Sequence, residues 1–302
     1  MSLEIPEHYI RSFEKIWNTA IQQEVSRLRD TVTVREFEGK ELVLTDLDSV
    51  AFTERTGRLT QATLQEVTAA KRKITKREFK CQYIFDRSDK ELLGMLSTPE
   101  SELIAEMKMA WNREVDSRIV EAASATVYGG AEPYTTEITL PATQQVAVDF
   151  VTSGSAANSG LTPEKILEAK RIFQDNELDP EMEDCYLAMS PTDELQLMTL
   201  IKASGNEVWA TMLNQFQTTG KLFGLKVKRI TQLAHNTSTD VETALVWSKR
   251  KGIIVAPEKM SIHIDKRPDL DHAIQISAYA QYGFARRYEK GVVEIACDHS
   301  PA

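Results

Sequence analysis

The sequence has little cysteine, few aromatic residues and no long apolar run. Its 302 residues include 3 cysteines, and 7% of the residues are aromatic. Cys81, Cys185 and Cys297 lie far apart without a C-x-x-C pair, which indicates neither a zinc site nor a disulfide framework and is typical of a reducing cytoplasm. No apolar run approaches the roughly 18 residues of a membrane span, and the acidic N-terminus does not match a secretion signal.

A surplus of positive charge is also missing. The chain has 36 Lys and Arg against 45 Asp and Glu, which gives a formal net charge of −9. A protein that mainly binds a nucleic acid backbone needs the opposite balance. Any contact with DNA is therefore expected to be weak, local and non-specific.

Motifs that carry catalysis or cofactor binding are absent as well. The chain contains no phosphate-binding loop, no dinucleotide fingerprint, no H-E-x-x-H and no G-x-S-x-G. None of the five histidines has a helical partner of metal-ligand type, and the acidic cluster at 175–184 lacks the glycine of a calcium loop. The sequence therefore predicts no catalytic residue, no metal and no cofactor.

One long amphipathic helix is predicted over Thr98–Ala125. Thr98 and Pro99 match an N-cap and a first helical position, and Gly129 and Gly130 predict the end. Apolar residues recur every three or four positions as one stripe, with Asp116 among the residues predicted outside it. The stripe consists of Ile104, Met107, Trp111, Val115, Ile119 and Ala122.

The segments before this helix do not contain enough apolar residues for a core of their own. Residues 6–29 are predicted as an amphipathic N-terminal arm whose apolar face must be covered by the same chain or by a neighbouring copy. Residues 48–80 form an extended, polar hairpin that is either mobile or laid on another surface. Its basic residues lack interleaved aromatics, so a solvated face or a protein contact is favoured over a nucleic-acid patch.

The second half alternates helices and strands. Residues 153–160 are predicted as a flexible connection, and Thr162-Pro163 and Ser190-Pro191 are predicted to open helices. A third helix ends at Gly220, and four strands follow between 225 and 264. A mixed sheet with flanking helices suits this order. The last two strands, 274–288 and 292–297, are predicted to pair as a closing hairpin.

This order of parts resembles the major capsid protein of tailed bacteriophages with the Hong Kong 97-like fold. Five stretches carry the resemblance by their joint order: Ser26–Val34, Gly160–Arg171, Phe223–Val227, Ile264–Pro268 and Tyr288–Ile295. The resemblance covers nearly the whole chain and implies an α+β fold. Its segments would be an N-terminal arm (1–35), an extended β-hairpin loop with a peripheral-domain strand (36–96), the spine helix of the peripheral domain (97–128), an α/β axial domain (129–270) and C-terminal peripheral-domain strands (271–302).

The resemblance implies a structural protein and no enzyme. Copies would self-assemble as hexamers and pentamers into an icosahedral shell around double-stranded DNA, located in the virion after assembly in the host cytoplasm. Implied partners are other copies, a separate scaffolding protein, a portal and, optionally, decoration proteins, with no membrane. In this family the extended loop lies over a neighbouring subunit, so we predict that its basic residues contact an acidic surface there: Lys71, Arg72, Lys73, Lys76 and Arg77.

Two other classes of protein remain compatible with the sequence. A tail-tube protein would also lack catalytic motifs and would also self-associate. An α/β enzyme of unknown type would need a pocket with convergent polar groups. Electron microscopy separates shells from tubes, and size exclusion separates both from a small enzyme oligomer.

Overall fold

The computed structural model describes residues 23–47, 52, 54, 57, 69–85, 100–152, 154–205, 207–270 and 272–300. The chain divides into two compact units. Unit 1 contains residues 1–26, 78–114 and 258–281, and unit 2 contains residues 27–77, 115–257 and 282–302. The five predicted segments do not follow these boundaries and stay a prediction. Most of the predicted N-terminal arm and the outer part of the predicted hairpin lie outside the described residues, as do Thr98 and Pro99.

The described helices are α1 (Glu100–Ser124), α2 (Pro163–Asp175), α3 (Pro191–Ser204) and α4 (Glu207–Thr219). The described strands are β1 (Thr33–Val34), β2 (Glu41–Leu47), β3 (Ala69–Phe85), β4 (Val127–Gly129), β5 (Thr136–Ile138), β6 (Gln145–Val146), β7 (Cys185–Met189), β8 (Lys221–Leu222), β9 (Leu225–Arg229), β10 (His235–Asn236), β11 (Val241–Ser248), β12 (Ile253–Val255), β13 (Lys259–Arg267), β14 (Ala273–Arg286) and β15 (Val292–Asp298). None of the described helices is long and apolar enough to cross a membrane.

Unit 1 is built from strand pairing and one apolar helix face. Strand β13 pairs antiparallel with β14, from Lys259 opposite Gln281 to Arg267 opposite Ala273. Met107 of α1 is buried against Ile276 and Ala278 of β14. Trp111 is only partly buried, and its Nε1 donates a hydrogen bond to Glu258 Oε2 at 3.0 Å. The apolar stripe of the helix is therefore fully buried at Met107 and partly exposed at Trp111.

The first sheet, most of whose strands belong to unit 2, has the strand order β1-β12-β14-β3-β4-β5, with β2 paired to β3 and β13 paired to β14. Strand β1 runs parallel to β12, and β2 runs antiparallel to β3. Its core consists of Ile74, Val127, Ile254 and Ala285. Strand β3 thus has neighbours on both sides and a buried face, which requires strand geometry in its basic stretch.

The second sheet of unit 2 has the order β6-β15-β11-β7-β9-β8, with β10 paired to β11. All five residues of β7 are buried, because this inner strand has partners on both edges and packed side chains on both faces. Helix α2 contributes Ile166, Ile172 and Phe173 to the same core. The predicted mixed sheet with flanking helices is confirmed.

Local helix signals were predicted correctly in this half of the chain. The Thr162 hydroxyl accepts a hydrogen bond from Lys165 N at 3.2 Å and caps α2. Ser190 and Asp193 form a reciprocal capping box that opens α3. Gly220 follows α4 with φ of 67°, the left-handed conformation that favours glycine.

Three expectations about α1 and the C-terminus are wrong. The two glycines do not end the helix, which stops at Ser124, one residue before the predicted Ala125, and Gly129 belongs to β4. Asp116, predicted to face solvent, is fully buried. The last two strands do not form a hairpin, because β14 pairs with β12 and β13 whereas β15 pairs with β11 and β6 in the other sheet.

Candidate intersubunit surface around the basic strand

The predicted basic residues lie in the middle of β3, between β2 and β4. Lys73 is opposite Val43 on one side and opposite Tyr128 on the other. Ile74 is fully buried in the core of the first sheet. The expectation that this stretch has too few apolar contacts to anchor itself is therefore wrong for residues 69–77.

Arg72 is buried within its own chain. Its two terminal nitrogens donate to the two carboxylate oxygens of Glu289 at 2.5 and 2.7 Å, the bidentate geometry of a strong ion pair. Burial raises the pKa of Glu289, but the hydrogen bonds and the charge of Arg72 outweigh burial and hold the pKa below its ordinary value. Arg72 therefore joins β3 to the residues just before β15.

The other four basic residues also have partners in unit 2. Lys76 Nζ donates to Phe37 O at 2.9 Å and lies 4.1 Å from the centre of that ring. Lys73 Nζ is 3.5 Å from Glu41 Oε1, and Lys71 Nζ is 5.8 Å from the centre of the Tyr134 ring. Arg77 pairs with Glu121 at 3.4 Å and lies over Phe284.

Arg77 is the most exposed member of this set. Its side chain is 57% exposed, whereas the side chain of Arg72 is 7% exposed. An exposed guanidinium loses little hydration in its present ion pair and can still bind a carboxylate across an interface. The five residues thus divide into one buried structural cation, three partly buried ones and one exposed one.

Two further arginines, not singled out from the sequence, complete this part of unit 2. Arg287 donates to Asp46 Oδ1 at 2.8 Å and to Asp46 Oδ2 at 3.3 Å. Arg286 is fully buried and donates to Ala123 O, Ala125 O and Ile138 O at 2.8 to 3.1 Å. The sequence carried one signal for them, since two adjacent arginines end an otherwise apolar strand. A buried guanidinium needs several acceptors, and the structure provides them.

Asp116 connects α1 to the residues that follow the N-terminal arm. Its two carboxylate oxygens accept hydrogen bonds from Arg27 N at 2.9 Å and from Leu28 N at 3.1 Å. Leu28 is itself fully buried, and Trp247 Nε1 donates to Thr31 O at 3.2 Å. Backbone N–H and C=O groups of the stretch Ser26–Val34 therefore bind side chains of α1 and β11.

The remaining sequence candidates have structural explanations, with one exception. Cys185 and Cys297 are buried free thiols, and burial raises the pKa of Cys185 to about 12, which leaves the thiol uncharged. Arg267, the last residue of β13, binds Asp269 at 2.5 Å. The exception is His299, whose neighbours helical spacing could not reveal: it lies between two buried carboxylates.

The geometry of the basic strand supports structural roles. Its cations bind carboxylates, carbonyl oxygens and aromatic rings, and each contact joins segments that are far apart in sequence. Such contacts orient the strands, and Arg77 keeps a largely exposed side chain.

Comparison with known proteins identifies a matching family and several similar structures. A family model described as phage capsid protein matches residues 5–299. The chain is similar in structure to the capsid of the cyanophage P-SCSP1u, with 17% identity, coverage of 97% of this chain and 94% of that chain, and a TM-score of 0.67. It is also similar to the capsid of Ralstonia phage GP4, with 11% identity, coverage of 99% and 97%, and a TM-score of 0.69. No curated protein sequence matches the chain.

A third structural relative is the head of Helicobacter pylori bacteriophage KHP40. The sequence identity is 10% and the TM-score is 0.65. The match covers 99% of this chain and 98% of that chain. At these identities the structural similarities establish the fold alone.

Proposed function

The chain belongs to the phage capsid protein family, and from this membership we infer that it is the major capsid protein of a tailed bacteriophage. The predicted α+β fold of Hong Kong 97-like type is confirmed by capsid structures that match almost end to end. The observation that carries the function is the family match over residues 5–299, since it spans both compact units. The family match favours a capsid protein over the two alternatives, a tail-tube protein and an α/β enzyme.

We propose that copies of the chain form the hexamers and pentamers of an icosahedral shell around double-stranded DNA. The formal net charge of −9 supports a shell that does not hold DNA by strong phosphate contacts. A scaffolding protein, a portal and decoration proteins are the partners that we propose for assembly in the host cytoplasm. The resemblance of the sequence to tailed-phage capsid proteins supports these partners.

We propose further that the basic strand takes part in contacts between subunits. The exposure of Arg77 supports this role most directly, while Lys71, Lys73 and Lys76 are partly buried and hold β3 in place. Arg72 is reassigned to the interior of unit 2, because its charge is already matched by Glu289. An acidic surface on the adjacent subunit remains the proposed partner of the exposed face.

The assembly state of the expressed chain tests this function. The full-length protein should be purified with and without the scaffolding protein of its phage, then analysed by sedimentation velocity and negative-stain electron microscopy. We expect rings or closed shells of many copies. Tubes, or a uniform small oligomer under both conditions, would contradict the assignment.

A further inference from the structure

Three ionisable side chains from separate elements of unit 2 converge next to the end of β15. Asp193 lies in the first turn of α3, Glu242 lies in β11, and His299 directly follows β15. Glu242 is opposite Cys297 in the sheet, which brings His299 beside it. His299 Nε2 is 3.1 Å from Asp193 Oδ1 and 2.9 Å from Glu242 Oε2.

The two carboxylates are buried, and hydrogen bonds do not satisfy all of their oxygens. Asp193 is fully buried and Glu242 is 6% exposed. Asp193 Oδ2 accepts from Ser190 N in the capping box, which leaves Oδ1 directed at His299. The single proton on Nε2 is directed at Asp193 Oδ1, and Glu242 Oε2, although 2.9 Å from the same nitrogen, makes no hydrogen bond.

The buried amine in the same core uses its hydrogen bonds elsewhere. Lys165 is fully buried, but its Nζ donates to Val148 O, Ser159 O and Ala296 O at 2.7 to 2.9 Å. Its three protons are thus committed to backbone carbonyls. Two buried carboxylates therefore share one imidazole nitrogen, so at most one positive charge is in direct contact with two negative charges, which is costly in a low-dielectric core.

We propose that Asp193, Glu242 and His299 bind one divalent transition-metal ion of the zinc class. The three potential ligand atoms all lie within 4.8 Å of one another. Zinc bound to nitrogen and oxygen at about 2.0 to 2.2 Å in a tetrahedron separates its ligand atoms by about 3.4 Å, a little more than the 2.9 and 3.1 Å from His299 Nε2 to the two carboxylate oxygens. One ion would contact both carboxylates and the imidazole at once, and water would supply the fourth ligand.

A second grouping shares His299 but fits a metal less well. His235 Nε2 is 2.9 Å from Asp240 Oδ1, and the rings of His235 and His299 stack with their centres 5.7 Å apart. His235 is exposed and already paired, so this outer pair supports the orientation of the His299 ring. The buried triad is the site because it contains the unsatisfied oxygen.

The site would fix the C-terminal residues to α3 and to β11. His299 N also donates to Asp240 O at 2.9 Å, so the backbone is held at the same point. A metal that binds the folded chain in preference to the unfolded chain stabilises the fold. This role is independent of the shell, and it replaces the expectation from the sequence that the protomer carries no metal.

Zinc binding to the full-length chain is the direct test. Protein treated with a chelator and desalted should be loaded with Zn²⁺ or Mg²⁺, desalted again and analysed for bound metal. We expect about one Zn²⁺ per chain and little Mg²⁺, because an imidazole ligand favours zinc. At a free Zn²⁺ concentration of about 100 times Kd, the unfolding temperature should rise by about 5 °C.

Variants identify the ligands. Glu242→Gln and His299→Gln should each abolish the zinc-dependent rise, whereas Glu294→Gln should keep it. Glu294 is the matched control because it lies on β15 and interacts with Gln145 outside the triad. An equal rise in Glu242→Gln and in the unchanged chain would overturn the proposal, as would loss of binding in His235→Gln but not in Glu242→Gln.

A spectroscopic measurement on the unchanged chain keeps the proposal testable if the variants fold poorly. Co²⁺ in the proposed site should give visible bands of a tetrahedral ion with nitrogen and oxygen ligands. A strong thiolate charge-transfer band would place the metal at a cysteine instead and would overturn the assignment. Metal content well below one per chain after Zn²⁺ loading would do the same.

Discussion

Asp116 is a buried carboxylate on a helix whose periodicity predicted it to be exposed. Helical spacing distinguishes an apolar stripe from the rest of the surface, but it contains no information on which other segment covers that surface. Here residues 27 and 28 approach the helix with their backbone N–H groups, and a carboxylate is the acceptor that satisfies both. The polar side chain is therefore required at a buried position.

Removal of this acceptor should destabilise the protein. We expect Asp116→Ala to lower the free energy of unfolding by about 3 kcal/mol, because two backbone N–H groups lose charged acceptors in a buried position. Asp116→Asn keeps one acceptor oxygen and should cost about half as much. Chemical denaturation measures both values.

Arg113→Ala is the control for this pair because Arg113 is exposed on the same helix. It should change the free energy of unfolding by no more than about 0.5 kcal/mol. An Asp116→Ala variant as stable as the Arg113→Ala variant would show that the two hydrogen bonds contribute nothing.

Helix α1 shows at the scale of an element how a tertiary contact completes a helix end. Its 25 residues span about 37 Å at 1.5 Å per residue, as expected for a spine helix. The last turn contains no basic residue, and the helix does not end at the two glycines. Arg286 of β14 instead donates to Ala123 O and Ala125 O. A cation at the C-terminus also interacts favourably with the helix dipole.

A change of this arginine to lysine tests the geometry of the contact. Arg286→Lys keeps the positive charge but loses the planar fork that reaches Ile138 O as well as the helix carbonyls. We expect the free energy of unfolding to fall by about 2 to 3 kcal/mol in chemical denaturation. Arg35→Lys, the same change at an exposed position, should be nearly neutral, and equal losses in the two variants would argue against this role.

At the scale of the whole molecule, two ion pairs connect the first sheet of unit 2 to the residues that lead into β15. Arg72 binds Glu289, and Arg287 binds Asp46. Burial raises the pKa of Asp46, but the hydrogen bond and charge of Arg287 outweigh it and lower the pKa below its ordinary value. The pKa of Glu289 is lowered in the same way by Arg72.

These lowered pKa values predict loss of stability in acid. A carboxyl group whose pKa is lower in the folded state contributes its full stabilisation above the unfolded pKa and loses it as pH falls through the folded pKa. The unfolding temperature should therefore fall below about pH 4.5, where unfolded Glu and Asp bind protons first. Glu289→Gln should cost about 2 kcal/mol at pH 7 and should reduce this acid dependence. Melting curves between pH 3 and pH 7 measure both effects, and an unchanged acid dependence in the variant would contradict the assignment.

Assembly is the second property of the whole molecule, and Arg77 provides its test. Arg77→Glu should change the free energy of unfolding by about 1 kcal/mol or less, because the lost ion pair is exposed. Like charges opposed across an interface can cost several kcal/mol at each contact, so shells should form only at higher protein concentration. Sedimentation at moderate salt measures this shift.

Arg171→Glu is the matched control for assembly. Arg171 is also 57% exposed and ion-paired, but it lies on α2 and its partners are Glu168 and Asp175 of the same helix. The Arg171→Glu variant should form shells at the same protein concentration as the unchanged chain. If both variants assemble normally, the basic strand is a solvated face and makes no contact between subunits.

The local secondary structure was predictable from the sequence by itself. The caps at Thr162 and Ser190 and the spine helix were correct, because each depends on residues within a few positions of one another. The joint order of these elements was also sufficient for the family, since the order of parts along the chain does not depend on how they pack.

Only the tertiary structure decided which distant residues meet. Arg72 and Glu289 are 217 positions apart, and Asp116 and Arg27 are 89 positions apart. The partner of β15 and the grouping of Asp193, Glu242 and His299 likewise depend on sheet register, which local periodicity does not contain. A charged residue has the same local pattern whether it faces water or a buried partner, so burial was decided by the packing of the whole chain.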